Sequence, residues 1–324
     1  MSKVLVTGAG GFIGSHLTER LIQLGYSVKA FMRYNSRNYW GWLENSEYKD
    51  EIEVVMGDIR DYDAVSSATK GCNSIFHLAA LIGIPYSYVS PLAYIRTNIE
   101  GTYNILQSAR ETNAENVVVT STSETYGTAQ YVPIDENHPL IGQSPYSASK
   151  IGADNLAISF FRSFNMPVKI VRPFNTYGPR QSARAIIPTV ISQILSGDNN
   201  IKVGNLHPTR DLTYVKDTVQ GMIEISKTEK LTGEITNIGM NKEISIGNLI
   251  NLISQLMDVK LNITTDDQRI RPEQSEVERL YCDNSKLLSS TQWKSKYILK
   301  EGLLETIMWM KAHQQFFKSK NYNI

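Results

Sequence analysis

The stretch Thr7-Gly8-Ala9-Gly10-Gly11-Phe12-Ile13-Gly14 constrains this chain more than any other. It follows a short apolar run, Val4-Leu5-Val6, and opens a segment from Phe12 to Leu24 whose apolar residues recur at helical spacing, with Gly25 as its stop. Each glycine at 8, 11 and 14 has a separate use. Gly8 permits a tight turn, Gly11 lets backbone approach a pyrophosphate, and Gly14 lets helix and strand pack closely. The helix start at Phe12 and Ile13 adds unpaired N–H groups and partial positive charge, which suit a bound pyrophosphate. A glycine triplet alone is weak. A strand before it and a helix after it are the context that separates a dinucleotide site from a glycine-rich surface turn.

The pattern continues as alternation. Strand-like runs fall at 28–32, 53–56, 74–77, 117–120 and 168–171, with helical stretches near 61–70, 92–113 and 144–164. Near-continuous apolar strands between helices predict an α/β fold, a Rossmann-type doubly wound parallel sheet. After Arg172 the prolines at 173, 179 and 188 break the alternation, and strands at 201–203 and 235–238 mix with helices near 186–196, 215–227, 246–257 and 302–317. We therefore expect a dinucleotide-binding domain of residues 1–172 plus about 211–240. A smaller C-terminal α/β substrate lobe would take about 173–210 plus 241–324. A chain of 324 residues, 41% hydrophobic and 20% charged, is long enough for both.

The net charge of +1 gives no long-range field toward nucleic acid or an anionic membrane. Cys72 and Cys282 are in no metal-type spacing, so neither a zinc site nor a disulfide framework is expected. No apolar run suits a membrane span and no leader precedes the first strand, so the expected location is the cytoplasm.

At the end of the second strand, where a carboxylate would grip an adenosine ribose, stands Arg33, which can meet a 2′-phosphate and leans toward NADP. Asp58, next to Ile59 after the third strand, is either an adenine contact or an N-cap for the helix beginning near Asp61. His77 ends the fourth strand as a structural histidine, and Leu78, Ala79 and Ala80 leave room for a cofactor. Tyr146 and Lys150 open a helix four residues apart on one face. A nearby ammonium favours the phenolate and would lower the tyrosine pKa. The spacing is cheap, since about one such pair is expected by chance among 17 tyrosines. Position gives it weight: it follows a fifth strand ending Thr120-Ser121-Thr122, on the carboxyl edge where such sheets bind ligands.

Taken in order, the glycine turn, Ser121-Thr122-Ser123-Glu124-Thr125-Tyr126-Gly127, Tyr146…Lys150, Asn175-Thr176-Tyr177-Gly178-Pro179-Arg180, Arg210-Asp211 and Asp283-Asn284-Ser285-Lys286 resemble the extended short-chain dehydrogenase/reductase family, across essentially the whole chain. That is the NAD-dependent epimerase/dehydratase family, whose members act on nucleotide sugars. Thr122-Ser123-Glu124 is similar to sugar 4,6-dehydratases, most closely those acting on GDP-mannose. Many dehydratases carry Asp where this chain has Ser123, which removes the usual general acid and leaves Glu124 as the one carboxylate of the motif. The segment from Tyr34 to Leu43, with Trp40-Gly41-Trp42, is similar to bacterial N-acetylglucosamine-nucleotide 4,6-dehydratases of legionaminic-acid biosynthesis.

The resemblance implies a lyase with NAD, against the local hint of Arg33. Tyr146 would take the proton from the hydroxyl on carbon 4, Thr122 would hydrogen-bond that oxygen, and Lys150 would hold Tyr146 and the nicotinamide ribose. Glu124 would abstract the proton made acidic by the new ketone, with Ser123 beside it. Loss of the carbon-6 hydroxyl then gives a 4-keto-6-deoxy sugar. Asn98 would brace the site or simply pack its helix. Asn175, Arg180, Arg210 and Arg271 are the expected contacts to the substrate's diphosphate. Residues 204–211 tilt the base toward guanine over uracil. A homodimer through helices near 92–113 and 144–164 is also implied. The alternatives are a 4-epimerase, a UDP-glucuronate decarboxylase, or a non-catalytic dinucleotide-binding regulator. A simple epimerase has no need of Glu124, and a regulator no need of Thr122, Glu124, Tyr146 and Lys150 together.

Overall fold

A computed structural model describes residues 2–317. The first half alternates β1 (Lys3–Thr7), α1 (Phe12–Gln23), β2 (Ser27–Arg33), β3 (Ile52–Gly57), α2 (Tyr62–Thr69) and β4 (Ser74–His77). Then come α3 (Ile84–Val89) and α4 (Pro91–Tyr94), which runs through a π-helical turn at Ile95–Glu100 into α5 (Gly101–Glu111). The half closes with β5 (Asn116–Thr120), α6 (Pro145–Phe164) and β6 (Val168–Pro173). The second half holds β7 (Asn175–Tyr177), α7 (Ile186–Leu195), β8 (Asn200–Val203), β9 (Thr209–Tyr214), α8 (Val215–Lys227) and β10 (Ile235–Ile238). It ends with β11 (Glu243–Ser245), α9 (Ile246–Met257), β12 (Asn262–Thr265), β13 (Arg279–Leu280), α10 (Ser285–Ser290) and α11 (Leu299–Ala312).

Seven strands form one sheet in the order β10-β6-β5-β4-β1-β2-β3. Every neighbouring pair is parallel, as buried, β-branched strands such as Val117-Val118-Val119 allow. The chain leaves β1 toward β2 and β3, then returns to the other side through β4. The carboxyl ends of β1 and β4 therefore flank the switch point where such sheets bind ligands.

The return of the second half to this sheet differs from the expected boundary near residue 211. β9 lies in a separate sheet with β11 and β13 and pairs with β7, while β8 pairs with β12. Only α8 and β10 rejoin the large sheet. At this strand the buried Asp211 carboxylate accepts N–H bonds from Met240, Lys242 and Cys282, which add to the backbone pairing of β9 with β11 and β13. One apolar core runs from Val4 and Phe76 of the large sheet through Val190 and Ile250 to Met310, so the two halves share their interior.

The start of α6 is fixed locally. Ser144 accepts from the Ser147 N–H at 3.1 Å, Ser147 Oγ accepts from the Ser144 N–H at 3.0 Å, and Pro145 occupies the first turn. Such a cap contributes about 1 kcal/mol and places Tyr146 in the first turn of its helix.

Candidate active site

The glycine turn has the geometry its spacing predicts. Gly8 has φ +68°, and a Cβ there would lie 2.9 Å from the Ala79 nitrogen. A Cβ on Gly14 would fall inside the van der Waals envelope of the Gly8 carbonyl oxygen. Helix α1 begins at Gly11 without a side-chain cap, which leaves its first N–H groups for an anion. These residues fit a dinucleotide pyrophosphate because side chains would fill the cradle that it needs.

Around the cradle, Leu78, Ala79 and Ala80 follow β4, and Ile59 is buried with its carbonyl bound by Asn104 at 3.0 Å. Arg33 is exposed at the end of β2. Asp58 does not cap α2: that cap is Asp61, which accepts from the Asp63 and Ala64 N–H groups. Asp58 instead pairs with Arg60, whose guanidinium and N–H hold the carboxyl down at about 2.

β5 delivers the catalytic segment to the same edge. Thr122 caps a short turn over Ser123–Tyr126 by accepting from the Glu124 N–H at 3.3 Å. Beneath it, Ser121 donates to Asp154 at 2.6 Å, and Asp154 pairs with fully buried Arg172 at 2.8 Å. Lys150 donates to the Thr120 carbonyl at 2.7 Å. Its burial lowers its pKa, with Asp154 opposing.

The expected lowering of Tyr146 is reversed here. Burial pushes the phenol up, a hydrogen bond with Thr122 pulls it down, and the Glu124 charge pushes it up further. Desolvation outweighs the rest because the phenol is buried beside Ile84 and Tyr94 while the ammonium is spent on a carbonyl. The same interactions bring Thr122, Glu124 and Tyr146 together.

Opposite them lies a charged cluster. Arg271 Nη1 is 4.0 Å from Glu124 and 3.7 Å from Glu276, and Arg210 is 3.5 Å from Glu276. Arg271 Nη1 and Asn175 Oδ1 are buried without hydrogen-bond partners, as expected of groups that wait for a ligand. Both terminal nitrogens of Arg180, expected to meet the diphosphate, bond Glu19 on α1 at 3.0 Å, so in this structure its fork is occupied by an ion pair.

Residues 5–306 match the family described as GDP-mannose 4,6 dehydratase. The chain belongs to that family. It is 30% identical over 329 residues to the human dTDP-D-glucose 4,6-dehydratase, covering 98% of this chain and 92% of the relative. It is 32% identical over 323 residues to the UDP-N-acetyl-alpha-D-glucosaminuronate decarboxylase of Bacillus cytotoxicus, covering 95% and 98%. Among solved structures it resembles DesIV, the dTDP-glucose 4,6-dehydratase of Streptomyces venezuelae with NAD bound, at 26% identity and a TM-score of 0.90, covering 98% and 99%. The chain is thus of the nucleotide-sugar dehydratase, epimerase and decarboxylase type.

Three features of this GDP-mannose 4,6 dehydratase family member escaped the sequence reading. Glu276 bridges Arg210 and Arg271, and a lone glutamate in a polar loop carries no signal of that. The buried Asp154–Arg172 pair joins residues 18 apart in sequence. Gly10 also has a role, because a Cβ there would lie 2.6 Å from the Trp40 carbonyl, and Trp42 N–H bonds the Gly10 carbonyl at 3.0 Å. The Trp42 ring in turn meets Trp309 and Phe316 edge-on at 5.3 and 5.2 Å. The Trp40-Gly41-Trp42 run and the extra glycine were visible, but not that they touch. Among the described residues no helix is long and apolar enough to cross a membrane, and no cluster of His, Cys, Asp and Glu could hold a metal.

Proposed function

We propose that this protein is an NAD-dependent 4,6-dehydratase. It would convert GDP- or UDP-linked N-acetylglucosamine to the 4-keto-6-deoxy derivative in the cytoplasm, as in legionaminic-acid biosynthesis. The observation that carries this reading is Glu124, a carboxylate held on the cleft edge close enough to raise the Tyr146 phenol. A dehydration needs a base there and an epimerisation does not. NAD is supported by the NAD-bound relative and by the glycine cradle, and the cofactor lobe would comprise residues 1–172 with about 215–240. The bound nicotinamide would supply a reversible hydride acceptor for the transfer from carbon 4 to carbon 6.

The chain's own groups do the rest. Tyr146 takes the carbon-4 hydroxyl proton, and Thr122, bonded to the phenol, orients the same oxygen. Lys150, anchored on Thr120, holds the far side of Tyr146 and the ribose. Glu124 takes the proton from carbon 5, with buried Ser123 beside it. Protonated in that step, Glu124 can return the proton to the departing carbon-6 hydroxyl, and a proton delivered to carbon 5 as hydride reaches carbon 6 balances the one that Tyr146 took from the carbon-4 hydroxyl. Arg210, Arg271 and Asn175 take the diphosphate and sugar, and the buried Asn175 Oδ1, which has no hydrogen-bond partner, supports binding. A homodimer through the helices near 92–113 and 144–164 is supported on the first of these by the exposed apolar residues Leu92, Ile95 and Tyr103. Sedimentation of the wild type against Ile95→Glu tests it.

The functional test is incubation of purified protein with GDP- and UDP-N-acetylglucosamine. Loss of one water with a 4-keto product is expected, and Tyr146→Phe abolishes it. A product of unchanged mass overturns the dehydratase reading in favour of a 4-epimerase, and loss of carbon dioxide from a glucuronate nucleotide favours a decarboxylase. Denaturing the protein and identifying the released dinucleotide checks NAD against NADP.

A further inference from the structure

A buried hydrogen-bond chain that no step above uses joins the cofactor cradle to the helix carrying Tyr146. The Thr7 hydroxyl, at the end of β1, accepts from the Leu78 and Ala79 N–H groups, both at 3.1 Å. Its single proton is left for His77 Nδ1 at 2.8 Å. At the other end, the Thr102 hydroxyl donates to the Asn98 carbonyl at 2.6 Å, because a carbonyl can only accept. The Thr102 oxygen is then free to accept from His77 Nε2 at 3.1 Å. The two ends assign the same tautomer independently: bare Nδ1 and protonated Nε2. Burial pushes His77 down to about 3, with Lys150 adding to the fall, so the imidazole is neutral.

The chain continues to the catalytic helix. The Asn98 side chain accepts from Leu81 N–H at 2.9 Å and donates to the Leu81 carbonyl at 3.0 Å and to Ser149 Oγ at 2.9 Å. Ser149 Oγ donates to the Tyr146 carbonyl at 2.7 Å. Asn98 lies inside the π-helical turn, a local rearrangement frequent at functional sites. Ala79 packs directly on Gly8, so this path runs from the pyrophosphate turn to Tyr146 without a gap.

We propose that His77, as the Nε2–H tautomer, is a positioning residue. It fixes the Leu78–Ala79 turn of the dinucleotide cradle to the π-turn of Asn98, and so sets the separation between the cradle and Tyr146. The proposal rests on the reading of Tyr146 as the group that exchanges the carbon-4 hydroxyl proton. Misplacement by about 1 Å is enough to cost on the order of a hundredfold in rate, so such a strut has consequences for hydride transfer.

The test pairs a near-isosteric variant with its rescue. Thr102→Val removes both bonds of the Thr102 hydroxyl. We expect kcat to fall about tenfold with KM within about twofold of wild type, and the isotope effect of deuterium on carbon 4 to rise as hydride transfer slows. Thr102→Ser restores both. In the wild-type chain, ¹⁵N NMR of labelled histidine should show His77 with a pyrrole-type Nε2 and a pyridine-type Nδ1. Unchanged kcat and isotope effect in a folded Thr102→Val overturn the proposal. So does a proton found on Nδ1, a measurement that needs no substrate and no variant. Failure of the functional reading looks different: the wild type itself would turn over none of the nucleotide sugars.

Discussion

The cofactor side and the substrate side of this cleft are built from different materials. The cofactor side is main chain and neutral hydrogen bonds: Gly8 against Ala79, Gly14 against Gly8, Trp42 on Gly10, and a hydroxyl–imidazole–hydroxyl chain beneath. The substrate side is long side chains held by charge: Arg210 and Arg271 on Glu276, Arg271 near Glu124, and Arg180 on Glu19. Backbone contacts tolerate no added atom, whereas ion pairs can exchange a partner for an incoming phosphate. One half is suited to retain a ligand and the other to release one.

The largest effects should separate the two by kind. Glu124→Gln should lower kcat about 10²- to 10⁴-fold as a lost general base, with little change in melting temperature. A loss of stability without loss of turnover would make Glu124 a structural member of the charged cluster. Gly14→Ala should do the reverse. Its Cβ would collide with the Gly8 carbonyl, so about 1–3 kcal/mol of stability and dinucleotide binding should go together, as read by melting with and without NAD. Retained NAD affinity would mean that the cradle yields, and the contrast between the halves would weaken.

The halves should also titrate in opposite directions. His16 on α1 is half-buried, donates from Nε2 to the Pro179 carbonyl at 3.1 Å, and is held at about 4 by desolvation and by Arg180. Its unfolded pKa is near 6.5, so its stabilisation is complete above that pH. Below it the unfolded chain takes the proton first, and stability falls until about pH 4, by about 1.4 kcal/mol per pH unit. Asp211 runs the other way. Burial pushes its carboxyl up to about 7 against the pull of its N–H donors. Its contribution is complete below about 4 and is lost as pH rises to about 7. Denaturation across pH 4.5 to 6.5 checks both: His16→Gln should remove a fall on the acid side, and Asp211→Asn should make the wild-type acid-side fall steeper. Unchanged slopes would mean that neither group is held in its folded form.

The same contrast explains what could be read from the sequence. The glycine turn, the Tyr146–Lys150 face, the helix starting at Pro145 and the apolar runs of the strands are local patterns, in which a residue's neighbours in sequence are its neighbours in space. The place of β9 in the small sheet brings Asp211 to residues near 240 and 282. The function of Glu276 depends on cations 66 and 5 positions away. Thr102 reaches His77 across 25 positions. The place of Tyr146 at the start of α6 follows from its sequence but its electrostatics do not: spacing reveals the ammonium one turn away and does not reveal that burial outweighs it.

The smallest effect falls on Arg180, where sequence and geometry disagree most directly. Its motif resembles a substrate contact, yet its fork is filled by Glu19, which lies 161 residues away on the cofactor side. The pair is partly shielded, with side-chain exposures of 18% and 14%, so it should hold somewhat more than a fully exposed pair. A double-mutant cycle of Glu19→Gln and Arg180→Lys should give a coupling of about 0.5–1 kcal/mol that shrinks with added salt, and KM for the nucleotide sugar should stay within about twofold. If Arg180→Lys instead raised KM tenfold or more with no coupling to Glu19, the fork would be a phosphate contact that exchanges partners on binding. The division between a main-chain half and a charged half would then run through α1 itself, because Glu19 would be the residue that surrenders its cation to the substrate.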